Sequence, residues 1–281
     1  MSEEPSRPRH PLEGPSPEQE ELEKTKPPVR HIAFALETKT PYLTYGLIAI
    51  CVAIFFIGQL TSVLVENGLL YPPYVLGDFQ LHRLVTAMFL HASIAHLLLN
   101  MVSLYTLGRE IELLYGPYRF LAIYFLGGIA GSILSVGIGD YGIPSVGASG
   151  AILAVWAAQL MFLYGNRNLF GRDRIRQVIM QYGFYLIAFM VIGFLPGSRI
   201  DNWAHIGGFF GGAAVAFLLP VKLGVKQALT PDQQVETVVA DTNRWSVQMI
   251  PTLFAIGVGL LLLLTLAIVG YQLNLFPTTL L

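Results

Sequence analysis

Residues 141–166 read YGIPSVGASGAILAVWAAQLMFLYGN, with no Asp, Glu, Lys or Arg anywhere in the stretch. A helix rises about 1.5 Å per residue and the hydrocarbon core of a bilayer is about 30 Å thick, so about 20 mostly apolar residues cross it. This run reaches that length once its polar start is trimmed, and it offers no charged face to water. Six more runs have the same character: 42–65, 84–108, 120–139, 177–198, 202–221 and 245–281. Among the 281 residues, 54% are hydrophobic and only 12% charged, and mean hydropathy is +0.58. That composition does not suit a water-soluble globular chain. The runs are continuous rather than short and alternating, which excludes a membrane β-barrel and predicts an all-α polytopic membrane protein with seven spans.

The first 31 residues are different. Seven prolines interleave with seven glutamates and almost nothing apolar, a composition expected to stay disordered. This tail lacks the features of a signal peptide or a transit peptide, so the first span is read as the insertion signal. Placing the N-terminus in the cytoplasm puts all but Arg83 and Arg199 of the 17 Lys and Arg on that side, as the positive-inside rule requires. The C-terminus then lies outside, and a plasma membrane is the simplest location. A net charge of -1 leaves no basic excess for a nucleic-acid partner. The single cysteine, Cys51, lies in an apolar run and reads as a small buried hydrophobe.

Polar side chains at membrane depth are costly, and they mark candidate sites. They concentrate in FLHASIAHLLLNM (89–101), PSVGASGAI (144–152) and DNWAHIGGFFGG (201–212). His96 and Asn100 are four residues apart and share one helix face, so both can donate to one oxyanion, or both can serve as interhelical glue. Ser149 stands between Gly147 and Gly150 where a helix is expected to begin. There it is either a helix cap, a place for which Ser145 is an equal candidate, or a nucleophile with first-turn N–H groups beside it. His205 supplies a base at the matching depth. Gly208 and Gly212 face a small surface made by Gly150, Ala154 and Ala157 or Ala158, which predicts close approach of the two helices. Asp201 and Asn202 sit one turn or less before His205 and receive no catalytic role; Asp201 is a helix-cap candidate. The GASGA sequence does not fit the G-x-S-x-G elbow, and there is no H-E-x-x-H, paired intramembrane aspartate or P-loop. No metal or cofactor is implied.

Five motifs taken together resemble the rhomboid family of intramembrane serine proteases over about residues 41–220. They are H-R-x-x-T-x-x-F-L-H (His82 to His91), H-x-x-x-N (His96 to Asn100), R-E-I-E-x-x-Y-G (Arg109 to Gly116), G-A-S-G (Gly147 to Gly150) and A-H-I-G-G (Ala204 to Gly208). The resemblance implies a six-helix core with an added seventh transmembrane helix. It implies Ser149 as nucleophile and His205 as its base, with His96, Asn100 and the backbone N–H of Ser149 holding the oxyanion. Arg83 and Glu112 match structural positions. Two departures stand out: His82 replaces a frequent tryptophan, and Leu153 replaces a frequent aromatic that stacks on the catalytic histidine.

The domains expected are a cytoplasmic tail (1–31), a catalytic core (41–220), a cytoplasmic linker (221–244) and the seventh helix with the C-terminus (245–281). The partners expected are transmembrane protein substrates and the lipid bilayer. The fifth span, with few polar anchors in LIAFMVIGFLPG, is expected to be a lateral gate. A non-catalytic relative that binds transmembrane helices is the main rival reading. A transporter is the second, disfavoured by the lack of an internal repeat or a buried carboxylate pair.

Overall fold

The computed structural model describes residues 40–170, 172–193, 195, 198, 200–229, 235–243 and 249–272; the acidic tail lies outside the described residues. Each of the seven uncharged runs carries a helix. These are α1 (Tyr42–Leu60), α2 (Ile94–Tyr115), α3 (Pro117–Ile138), α4 (Ser149–Gly165), α5 (Arg172–Gly193), α6 (Asn202–Leu218) and α7 (Met249–Gln272). Among the described residues, α1 and α3 are by themselves long and apolar enough to cross a membrane, while α4 is a shorter apolar helix.

The second run departs from the single span expected over 84–108. It is broken into two helical pieces, Arg83–Phe89 and Ile94–Tyr115, bent by 94°. The cause is local. Leu90 and Ser93 are extended, and the Ser93 hydroxyl accepts from the His96 N–H at 3.2 Å, so Ser93 is the N-cap of a new helix. Leu104–Gly108 then form a π-helical segment inside α2, the kind of irregularity often found near functional sites.

Helices α3, α4 and α6 form the centre, with α6 packed against both others. Glycine makes this possible. A Cβ at Gly208 would lie 2.1 Å from the Gly150 carbonyl oxygen, one at Gly212 2.3 Å from the Ala154 Cα, and one at Gly131 2.5 Å from the Ala204 carbonyl oxygen. The small stripe on α6 thus meets the small face of α4, as expected. The matching stripe on α3, with Gly127 and Gly131, also contacts α6.

Two buried ionic side chains hold the periphery. Glu112 accepts from the Leu43 N–H, the Thr44 N–H and the Thr44 hydroxyl at 2.7 to 3.0 Å, which pins the start of α1 to the end of α2. Arg83 donates to the Glu66 and Leu69 carbonyls and to Gln80, and its guanidinium lies over the Tyr74 ring. It thereby organises the long segment between α1 and Arg83. Both residues are structural, as the motif pattern implies.

The linker contains a hairpin that its composition did not announce, β1 (Leu223–Leu229) and β2 (Val235–Asp241). Lys226–Val239 falls in a separate contact unit from Leu36–Val225 and Ala240–Leu281, and all the site residues belong to the latter. Within that larger unit the segments flanking the hairpin are tied down. Buried Arg119, at the start of α3, pairs with Asp241 at 2.6 Å and donates to the Asn243 carbonyl. Asn166, at the end of α4, donates to the Val221 carbonyl and accepts from the Leu223 N–H.

Candidate active site

The chain before α4 spends the uncharged run 141–148 on loop rather than helix. Asp140 accepts from the Gly142 N–H in a turn, and Ser145 pairs with Leu70 in a two-way antiparallel bridge, with N···O distances of 3.0 and 2.8 Å. The Gly147 N–H donates to the Ala87 carbonyl at 2.9 Å. Helix α4 then starts at Ser149 and extends over 17 residues, about 25 Å. Its N-cap is Ala148, and Ser145 is engaged with Leu70. Neither serine caps the helix.

The Ser149 hydroxyl goes to histidine instead. Its Oγ lies 2.6 Å from the His205 Nε2, a short contact across α4 and α6. His205 is 3% exposed, and its ring reaches the serine because Gly150 and Gly208 let the two backbones touch. Asp201 caps α6 by accepting from the Ala204 N–H at 2.9 Å, and its second oxygen accepts from the Ser135 hydroxyl of α3 at 2.5 Å. The cap expected for Asp201 is present, and Ser135 is a partner that sequence spacing did not reveal.

On the other side of the serine, Gly147 has φ +135°, in the region where glycine is favoured. A Cβ there would lie 2.8 Å from the His96 Nε2 and 3.7 Å from the Ser149 Oγ. His96 and Ser149 therefore face the same point, which only a glycine leaves open. The Ala92 N–H points at the His96 Nδ1 at 3.5 Å, the outer limit of a hydrogen bond. A backbone N–H can only donate, so this contact favours the tautomer with the proton on Nε2, the nitrogen directed towards the serine. Asn100, 6% exposed, uses one of its two amide N–H groups on the His96 carbonyl at 2.9 Å. The His91 ring sits edge-on to His96, with centroids 5.2 Å apart. Leu153 is buried one turn after Ser149.

The structure thus brings Ser149 and His205 into contact and places His96 across the serine, with Asn100 one turn along the same helix. Such an arrangement can deprotonate a hydroxyl and present N–H donors to an oxygen nearby. The sequence motifs named these four residues and Gly147; they did not reveal Leu70 or Ser135, whose contributions depend on contacts between residues far apart in the chain.

Comparison with known proteins agrees with the fold. The family model for the Rhomboid domain matches residues 78–222, half of the chain, and the chain belongs to the rhomboid family. It is 37% identical over 214 residues to "Rhomboid protease GluP" of Bacillus subtilis (strain 168), covering 72% of this chain and 39% of that protein. It is 37% identical to "RHOMBOID-like protein 6, mitochondrial" of Arabidopsis thaliana, covering 58% of this chain and 52% of that protein. It is also 33% identical to "Inactive RHOMBOID-like protein 8" of the same plant, covering 67% of this chain and 52% of that protein. The chain spans about half the length of the curated relatives it matches, or less. Its fold is the rhomboid-like helical bundle with an added seventh helix, in an integral membrane protein.

Proposed function

We propose that this chain is an intramembrane serine endopeptidase that hydrolyses peptide bonds in or near the transmembrane segments of other proteins. The observation that carries the reading is the 2.6 Å contact between the Ser149 Oγ and the His205 Nε2. His205 takes the hydroxyl proton, the Ser149 oxygen attacks the scissile carbonyl, and the tetrahedral oxyanion forms beside the His96 Nε2–H, the Asn100 amide and the first-turn N–H of Ser149. His205 then gives its proton to the leaving amine. Water, deprotonated by the same histidine, releases the acyl group.

The recessed position of the serine fits this chemistry. The uncharged run begins at Tyr141, but its helix begins only at Ser149, so the loop carries the chain inward before the helix starts. Ser149 and Asn202 stand at the opposite helix ends from Arg167 and Lys222. With the N-terminus in the cytoplasm the dyad opens to the outer face, and a plasma membrane is the proposed location. Helix α5 is the proposed lateral gate. It carries exposed Met180, Phe184, Ile187 and Val191 and makes few contacts with α4 and its neighbours among the described residues. Substrate helices with small or helix-breaking residues are favoured, because a helical carbonyl must unwind before attack.

Incubation of purified protein in liposomes with a transmembrane model substrate tests the reading: cleavage must disappear in Ser149→Ala and His205→Ala. Two observations favour a second reading, a catalytically weak helix-binding member: Leu153 stands where the family often has an aromatic, and one relative is named inactive. Leu153→Tyr separates the two. A clear rise in turnover assigns the weakness to the missing ring, and unchanged turnover removes that explanation.

A further inference from the structure

We infer that the seventh helix is a positioning element for the nucleophile, acting through the two backbone segments that hold the loop before Ser149. The inference deepens the proposed function and rests on Ser149 being the reactive group.

The loop 145–149 has two backbone anchors. Leu70 exchanges hydrogen bonds with Ser145, and Ala87 accepts from the Gly147 N–H. Both anchoring residues turn their side chains into one hydrophobic cluster, where Leu70 is 3% and Ala87 4% exposed. That cluster is distinct from the main core, which contains Ala148, Ala151 and Ala154 of α4. It is completed by Leu264 and Ala267 of α7, 5% and 7% exposed. The lower part of α7 instead places Leu253 and Ile256 against the main core. Along its length α7 packs on α3 and on the segment Pro73–Gly77, whose Val75 and Leu76 are fully buried in the same cluster.

The consequence is mechanical. A hydrogen bond between two loops fixes a position only as firmly as its anchor is fixed. The Leu70 and Ala87 backbones are held by the packing of their own side chains, and α7 closes that packing on one side. Removing the Leu264 side chain leaves a void, which neighbours fill only partly. Leu70 then gains freedom, and Ser145, four residues from the nucleophile, gains it too. Since displacements well under the length of a bond contact already cost rate, the effect falls on the reactivity of Ser149 rather than on substrate capture. A helix serving only as an anchor in lipid shows no such dependence, and its outward face supplies the internal control: Leu266, on the same helix, is 67% exposed.

The test uses the full chain in detergent or liposomes, comparing wild type, Leu264→Ala, Leu264→Met, Leu264→Val and Leu266→Ala. Three quantities are read: the rate of covalent labelling by a fluorophosphonate probe, kcat against KM on a transmembrane substrate, and amide hydrogen exchange of residues 145–149. The expected result for Leu264→Ala is about a tenfold fall in labelling rate and kcat, KM within about twofold, and faster exchange in 145–149. Leu264→Met restores all three, and Leu266→Ala matches wild type. If the Ala variant does not fold, Leu264→Val carries the test with the same ordering and smaller shifts. A Leu264 variant that loses thermal stability but labels and exchanges like wild type overturns the inference. If wild type itself never labels, the reading of Ser149 fails instead. The exchange comparison between Leu264→Ala and Leu266→Ala then still decides the bracing: faster exchange in the former upholds it, and equal exchange overturns it.

Discussion

Gly208→Ala is the substitution whose effect follows most directly from the geometry. The added methyl carbon would sit 2.1 Å from the Gly150 carbonyl oxygen and 2.7 Å from its carbon, both backbone atoms that no rotamer change can remove. Non-bonded heavy atoms settle at about 3.5 Å, so α4 and α6 must part by on the order of 1 Å at this level. The Ser149–His205 contact spans the same two helices less than one turn away. An increase of that size takes it from 2.6 Å to beyond the range of a useful hydrogen bond. A 1 Å misplacement of reacting groups costs about a hundredfold in rate, equivalent to about 2.7 kcal/mol of transition-state stabilisation. Overpacking itself costs about 1–3 kcal/mol of stability.

The assay is fluorophosphonate labelling and substrate cleavage at a temperature where thermal melting shows the variant folded, with Gly46→Ala as control, since nothing lies within 4 Å of a Cβ there. The expected outcome is a loss of about a hundredfold in both readouts for Gly208→Ala and wild-type behaviour for Gly46→Ala. A folded Gly208→Ala protein with wild-type labelling would refute the claim that glycine contact between α4 and α6 sets the dyad.

Three other substitutions probe separate parts of the account. Gly147→Ala combines φ +135° with a Cβ 2.8 Å from the His96 Nε2, so it should abolish labelling while thermal stability falls by no more than about 1–3 kcal/mol; a labelling-competent variant would remove His96 from beside the serine. Asp241→Asn removes the charged partner of buried Arg119, in a pair whose carboxylate is 27% exposed, and should destabilise the protein by about 1–3 kcal/mol with the labelling rate of the folded protein unchanged, read by thermal melting and by the probe. Gly193→Ala, at the end of α5, places a Cβ 2.0 Å from the side-chain Oδ1 of buried Asn202 at the start of α6; unless that amide turns aside, the gate end must move away from α6. Cleavage of transmembrane substrates should rise relative to probe labelling, and an unchanged ratio would argue against α5 as the gate.

The helical architecture was legible because charge placement repeats: seven uncharged runs each carry a helix, the second of them broken at 90–93. Ser149, His205, His96 and Asn100 could be singled out because few polar side chains stand at membrane depth; the structure places Ser149 against His205 and near His96, and the catalytic roles of the four remain the proposal tested below. The bend at 90–93 was missed although its signal was present, since Ser93 is a preferred N-cap three residues before the His96 N–H it binds; the apolar character of the run concealed it. The hairpin was missed because LGVKQAL and VETVVAD are short segments in a charged linker. The ties of Leu70 to Ser145 and of Asp201 to Ser135 depend on residues 75 and 66 positions apart, and a single sequence carries no local pattern for contacts of that range. The Arg119 ion pair, reaching 122 positions along the chain, is hidden for the same reason.

The central claim is that Ser149 is a nucleophile activated by His205 across a glycine-lined helix contact. The most direct measurement is mass spectrometry of the intact protein after fluorophosphonate treatment in liposomes, for wild type, Ser149→Ala and His205→Ala, together with cleavage of a transmembrane substrate by the same samples. The account predicts one adduct located on Ser149 in wild type, none in Ser149→Ala, a rate lowered by several orders of magnitude in His205→Ala, and cleavage following the same order. An adduct on another residue, or cleavage that survives Ser149→Ala, would contradict it.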